Sequence, residues 1–135
     1  MDIIYPMFVL VVLTFVVGFS TGVSRLIHAK KGRVDPRYFK LFNGYTPPDS
    51  MLKLARNFSN LLEVPVLFYT VSIVSLSLGL ANHTMIILAW SFVILRMIHS
   101  VIHITYNNPL HRFVVFLLSS VIVLVMWVHL VMSIK

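Results

Sequence analysis

Cysteine is missing from the chain, and acidic side chains are scarce: there is no Cys, and four Asp and Glu face 11 Lys and Arg. The absence of cysteine excludes disulfides, thiolate metal sites and a cysteine nucleophile, and leaves the redox compartment unreadable. Charge of either sign is thin. Charged residues make up 11% of the 135 and hydrophobic ones 59%, too little polar surface to cover the core of a soluble domain. Repeats and low-complexity segments are lacking too. The composition belongs to the membrane class. In a soluble protein a net charge of +7 would raise nucleic acid as a partner. Here most of the basic residues crowd into one loop, which reads as a topology signal and a contact with anionic headgroups. No nucleic-acid partner is expected.

What is present is four apolar runs, over about 3–26, 51–80, 84–106 and 110–134. At ~1.5 Å per residue each reaches across a hydrocarbon core of ~30 Å. The expectation is an all-α, integral membrane four-helix bundle, with residues 1–135 forming one domain. The start, Met1-Asp2-Ile3-Ile4-Tyr5-Pro6, has no basic n-region and no small-residue cleavage site follows, so the first run is expected to stay as a spanning helix. Between the first two runs lies a basic loop, about 28–50, closing on Thr46-Pro47-Pro48-Asp49-Ser50. Asp49 or Ser50 is expected to cap the second helix. Asn107-Asn108-Pro109 makes the last turn. Around the first loop stand Arg25, Lys30, Lys31, Arg33, Arg37, Lys40 and Lys53, against no Lys or Arg in the second; Arg112 marks the third loop and Lys135 the end. The positive-inside rule then predicts cytoplasmic first and third loops, with both termini on the other side.

Ionisable groups inside the hydrocarbon cost at least ~2.5 kcal/mol on insertion scales, so they are candidate functional residues. Arg56, Asn60 and Glu63 fall at i, i+4 and i+7 on one face of the second helix, and Arg96, His99 and His103 at i, i+3 and i+7 on one face of the third. Arg112 opens the fourth. Glu63 is ~18 Å along its helix and Arg96 ~15 Å in from the same side. Matched depth and opposite charge predict a Glu63–Arg96 ion pair. Together the seven groups are expected to line one cytoplasm-facing cleft. Plainer readings exist for each: Arg56 and Arg112 snorkel to the interface, Asn60 bonds two helices, and the ion pair is structural. His99 and His103, four residues apart, suit a metal or haem, but no metal is expected. His28, His83 and His129 fall near helix ends and receive no role.

The segment Arg56-Asn57-Phe58-Ser59-Asn60-Leu61-Leu62-Glu63-Val64-Pro65 resembles the second-helix signature of the MAPEG family, the membrane-associated proteins of eicosanoid and glutathione metabolism. That signature has Arg, Asn four later, Glu three later and Pro soon after. Arg96-Met97-Ile98-His99, followed by Arg112, is similar to the prostaglandin E synthase branch. The resemblance spans nearly the whole chain. It implies a homotrimer binding glutathione as co-substrate between subunits near the cytoplasmic leaflet. Arg56, Asn60, Glu63 and His99, with His103 beside them, would hold the tripeptide, and Arg112 would stabilise its thiolate. The function implied is a membrane-bound transferase or peroxidase acting on lipophilic electrophiles or lipid hydroperoxides. A bacterial inner membrane is the expected location, with periplasmic termini.

The chain also departs from that pattern. His103 stands where catalysts of the family often have Tyr, Phe113 where the prostaglandin synthase branch has Ser, and Phe116 where Tyr is common. These changes favour the alternative of a non-catalytic member that binds lipid or a membrane partner. A metal or haem protein using His99 and His103 is the third reading.

Overall fold

A computed structural model describes residues 2–44 and 46–134; Met1, Tyr45 and Lys135, whose charge entered the topology argument, lie outside the described residues. Four long helices account for the apolar runs: α1 (Ile4–Lys30), α3 (Asp49–Ser77), α4 (His83–Ile104) and α5 (Pro109–Ser133), with a short α2 (Tyr38–Leu41) in the basic loop. All four long helices are apolar and long enough to cross a bilayer, as the runs predicted.

The bundle is organised by four narrow seams. Buried side chains recur three, four or seven residues apart: Leu10, Val17, Thr21 and His28 on α1; Asn57, Leu61, Pro65, Phe68, Ser72 and Ser75 on α3; Ser119, Val123, Met126 and Leu130 on α5. This spacing is that of helices packed at shallow crossing angles. On α4 the seam runs Met85, Ala89, Phe92, Arg96, His99, His103. Its first half is apolar, and Phe92 stacks on Phe68 with centroids 4.6 Å apart. Its second half is ionisable, which buries the contribution of α4 to the candidate site, Arg96, His99 and His103, inside the bundle.

The connections follow from backbone chemistry. Gly32, at φ 65°, ends α1, and Arg33 N–H returns to the His28 carbonyl at 3.0 Å. α1 therefore runs four residues past the expected end at Leu26. Tyr38 of α2, with Val34, packs against Met51 and ties the basic loop to the start of α3. The expected cap of α3 is corrected. Pro48 holds the cap position without a side-chain bond, and Asp49 is the first helical residue, where its charge suits the helix dipole. Asn82 caps α4 by accepting from Met85 N–H, and Asn108 caps α5 by accepting from Leu110 and His111 N–H. Two of the histidines given no role help join helices. His28 Nδ1 donates to the Ser24 carbonyl at 2.8 Å while Nε2 faces the Ser50 hydroxyl, and His129 meets Asn82 across 3.1 Å.

Candidate functional site

At the end of the bundle where α3 begins and α4 finishes, the helices part around a cleft of about 400 Å³. Its walls include Arg56, Ser59, Asn60 and Glu63 from α3, His103 from α4, Arg112 from α5 and Arg25 from α1. A smaller recess of about 220 Å³ adjoins it, lined by His99, Pro109, Phe113 and Phe116, and shares Asn60 and Arg112 with it. Six of the seven polar residues picked out from the sequence thus line these two neighbouring spaces. The seventh, Arg96, lies behind them. Three guanidinium groups against one carboxylate give the cleft a positive balance, so it is suited to a ligand carrying more carboxylates than amines.

Arg112 is fixed at both ends. Its Nη1 donates to Asn107 Oδ1 at 2.7 Å, and its carbonyl oxygen lies 3.1 Å from His99 Nδ1. A carbonyl only accepts, so His99 Nδ1 carries the hydrogen and the neutral ring keeps its lone pair on Nε2. That Nε2 is buried without a partner, as is Nδ1 of His103. The two imidazoles stand edge to face, 5.8 Å apart. Unsatisfied buried polar atoms are uncommon in native proteins, and these lie on residues bordering the open space. Among the described residues no group of three or more His, Cys, Asp or Glu is placed to hold a metal ion, so His99 and His103 lack a third ligand.

The expected Glu63–Arg96 pair is not formed within the chain. Arg96 is fully buried, and its Nη2 donates to the Asn60 carbonyl at 2.5 Å. Its Nε and Nη1 are buried without partners, while the guanidinium sits 5.7 Å above the Phe116 ring. Glu63 is exposed on the flank of α3. The backbone oxygen lies where Arg96 reaches first, and the aromatic face supplies part of the remaining stabilisation. Phe116, read from sequence as a departure, therefore acts as a platform under Arg96 and against His99, 6.0 Å away.

Three contributors escaped the sequence reading. Arg25, counted in the sequence only as a topology charge, reaches the cleft from the last part of α1, with its guanidinium 5.3 Å above Phe42. Asn107 was read only as a turn former. Asn57 donates from Nδ2 to Ser100 Oγ at 2.7 Å, a buried bond joining α3 to α4 directly beneath the site.

On the other side of α3 is an apolar groove of about 490 Å³, lined by Thr14, Phe15, Gly18, Phe19, Phe58 and Leu62. Phe58 also walls the polar cleft, so one ring separates a positive compartment from a lipophilic one. Gly18 makes room for that ring, since a Cβ there would stand 2.9 Å from Phe58 Cε2.

A family model, described as the MAPEG family, matches residues 3–132 of the chain. No match was found among curated proteins or among solved structures.

Proposed function

The chain belongs to the MAPEG family, and from that premise we propose that it is a membrane-bound, glutathione-dependent transferase or peroxidase acting on lipophilic electrophiles or lipid hydroperoxides. The observation that carries this reading is the sharing of Phe58 between a cleft with three arginines and one carboxylate and an apolar groove between α1 and α3. Glutathione has two carboxylates, one ammonium and a thiol. Arg25 and Arg56 suit the carboxylates, Asn60 an amide, and Glu63 the ammonium. His99 Nε2, lacking a partner, accepts a hydrogen bond from the ligand, and His103 Nδ1, also unpartnered, offers a second polar contact.

Arg112 is the thiolate stabiliser. A thiol of unperturbed pKa ~8.5 is mostly protonated at neutral pH, and a fixed guanidinium beside it lowers that value. Arg112 also stands in the first turn of α5, where the aligned peptide dipoles of the helix add positive potential. The thiolate sulfur then bonds to an electrophilic carbon, while that carbon's bond to its leaving group breaks and the departing atom keeps the electron pair. With a hydroperoxide, sulfur takes the terminal oxygen, the O–O bond breaks and an alcohol leaves. A second glutathione reduces the resulting sulfenic form to the disulfide, with loss of water.

A homotrimer belongs to the same proposal. Glu63 and Arg56 are exposed in the single chain, and Glu63 stands midway along a spanning helix. Charge facing lipid at that depth is unfavourable, and a second copy packed over this flank removes it while closing the cleft. The same reading sets the cleft and the basic first loop on the cytoplasmic side.

The rival is a non-catalytic member holding lipid or a membrane partner, favoured by Phe113 and Phe116 lining the recess. Arg56→Ala separates the two. Lost glutathione binding, by calorimetry, with an unchanged assembly mass supports the enzyme; a changed assembly mass supports the rival.

A further inference from the structure

The turn between α4 and α5 does more than reverse the chain. Asn107 sits in the left-handed region at φ 51°, and its N–H donates to the Ile102 carbonyl at 2.8 Å, closing α4. In this conformation its side chain turns toward α5, where Oδ1 accepts from Arg112 Nη1 at 2.7 Å. Asn tolerates this backbone far better than most residues, so one residue both ends a helix and anchors a guanidinium. The Asn108 carbonyl accepts from Arg112 N–H at 3.1 Å, and His99 holds the Arg112 carbonyl. Backbone and guanidinium are thus located independently.

The chemistry of the anchor matters as much as its place. An amide oxygen accepts a hydrogen bond without cancelling charge, whereas a carboxylate at 2.7 Å would form an ion pair and offset most of the guanidinium's field. Arg112 shares the cleft with Arg25, Arg56 and His103 and with one carboxylate, Glu63, and its own side-chain hydrogen bond goes to an amide and not to an acid. Resting on the glutathione reading above, we propose that Asn107 is a positioning residue that aims Arg112 at the glutathione thiol while leaving its charge undiminished.

Two variants separate aim from charge. Asn107→Gly keeps the left-handed backbone and removes the anchor. Asn107→Asp keeps both the backbone tolerance and an acceptor, but adds a negative charge. The experiment uses full-length protein in detergent, with glutathione binding followed by calorimetry and thiolate formation by ultraviolet difference absorbance as a function of pH. The expected result is binding heat within a few-fold of wild type in both variants. The pH midpoint of thiolate formation rises by about one pH unit in Asn107→Gly, a tenfold loss of thiolate at fixed pH below it, and further in Asn107→Asp. A midpoint equal to wild type in both variants overturns the proposal. So does loss of binding in both, which would make Asn107 a binding or folding residue. Should Asn107→Gly not survive purification, Asn107→Asp alone decides by the same midpoint. A wild type with neither thiolate band nor binding heat defeats the glutathione reading itself, and this proposal with it, an outcome distinct from a wild-type band that the variants leave unmoved.

Discussion

His99 donates from Nδ1 to the backbone carbonyl of Arg112 across 3.1 Å, joining the ionisable seam of α4 to the first turn of α5. The bond fixes which nitrogen is free, and leaves Nε2 buried with an unused lone pair. His99 therefore serves the site twice, by holding Arg112 and by offering an acceptor to the ligand.

Substitution can divide those two roles. Asn at 99 retains an N–H near the position of Nδ1 but has nothing at Nε2. His99→Asn is expected to melt within about 1 kcal/mol of wild type and to bind glutathione about tenfold more weakly, one lost hydrogen bond. His99→Leu is expected to lose both roles and unfold more readily, by about 1–3 kcal/mol. Denaturation in detergent alongside calorimetry checks this. Equal stability for the two variants would argue that the Arg112 carbonyl does not need His99.

Glu63 distinguishes a ligand contact from a structural ion pair. Its carboxylate is exposed and Arg96 bonds to the Asn60 carbonyl instead. Glu63→Gln is accordingly expected to leave the melting transition within about 0.5 kcal/mol of wild type while weakening glutathione binding. A structural pair would behave otherwise, since stranding a buried Arg by removing its partner costs about 3–5 kcal/mol. A loss of that size on thermal unfolding would restore the ion pair as a feature of the assembled protein.

Gly18 reports on the lipophilic side. An added methyl group approaches Phe58 Cε2 to 2.9 Å, so the ring must turn and the wall between groove and cleft moves. Gly18→Ala lies within α1 and is expected to hold or gain up to about 1 kcal/mol of stability through helix propensity. Steady-state kinetics with a lipophilic electrophile should show a raised KM for that substrate and an unaltered one for glutathione. Equal effects on both would mean that Phe58 does not partition the two compartments.

Much of this arrangement could be read from residue spacing. The four helices follow from runs too apolar to fold otherwise in water, and the faces carrying Arg56, Asn60, Glu63, Arg96, His99 and His103 follow from helical periodicity. Partner choice did not follow. Arg96 found a main-chain oxygen, a group that every residue carries and no letter distinguishes, so depth and charge pointed to Glu63 instead. Arg25 stands among the basic residues of the first loop, and nothing in the spacing along α1 says that its side chain turns to the cleft shared with α3, α4 and α5. The role of Asn107 depends on a backbone conformation that a turn motif suggests but does not aim. α2 and its packing on Met51 were hidden inside a loop whose charges dominated its reading.

The central claim, that Arg112 holds a glutathione thiolate, is tested most directly by an ultraviolet difference titration of detergent-purified protein with glutathione, beside Arg112→Ala, with calorimetry in parallel. The account predicts a thiolate band at neutral pH in the wild type that disappears in Arg112→Ala, while binding heat persists there through Arg25, Arg56 and Glu63. A band of equal strength in both would contradict the role of Arg112. No band and no heat in the wild type would contradict the glutathione reading as a whole.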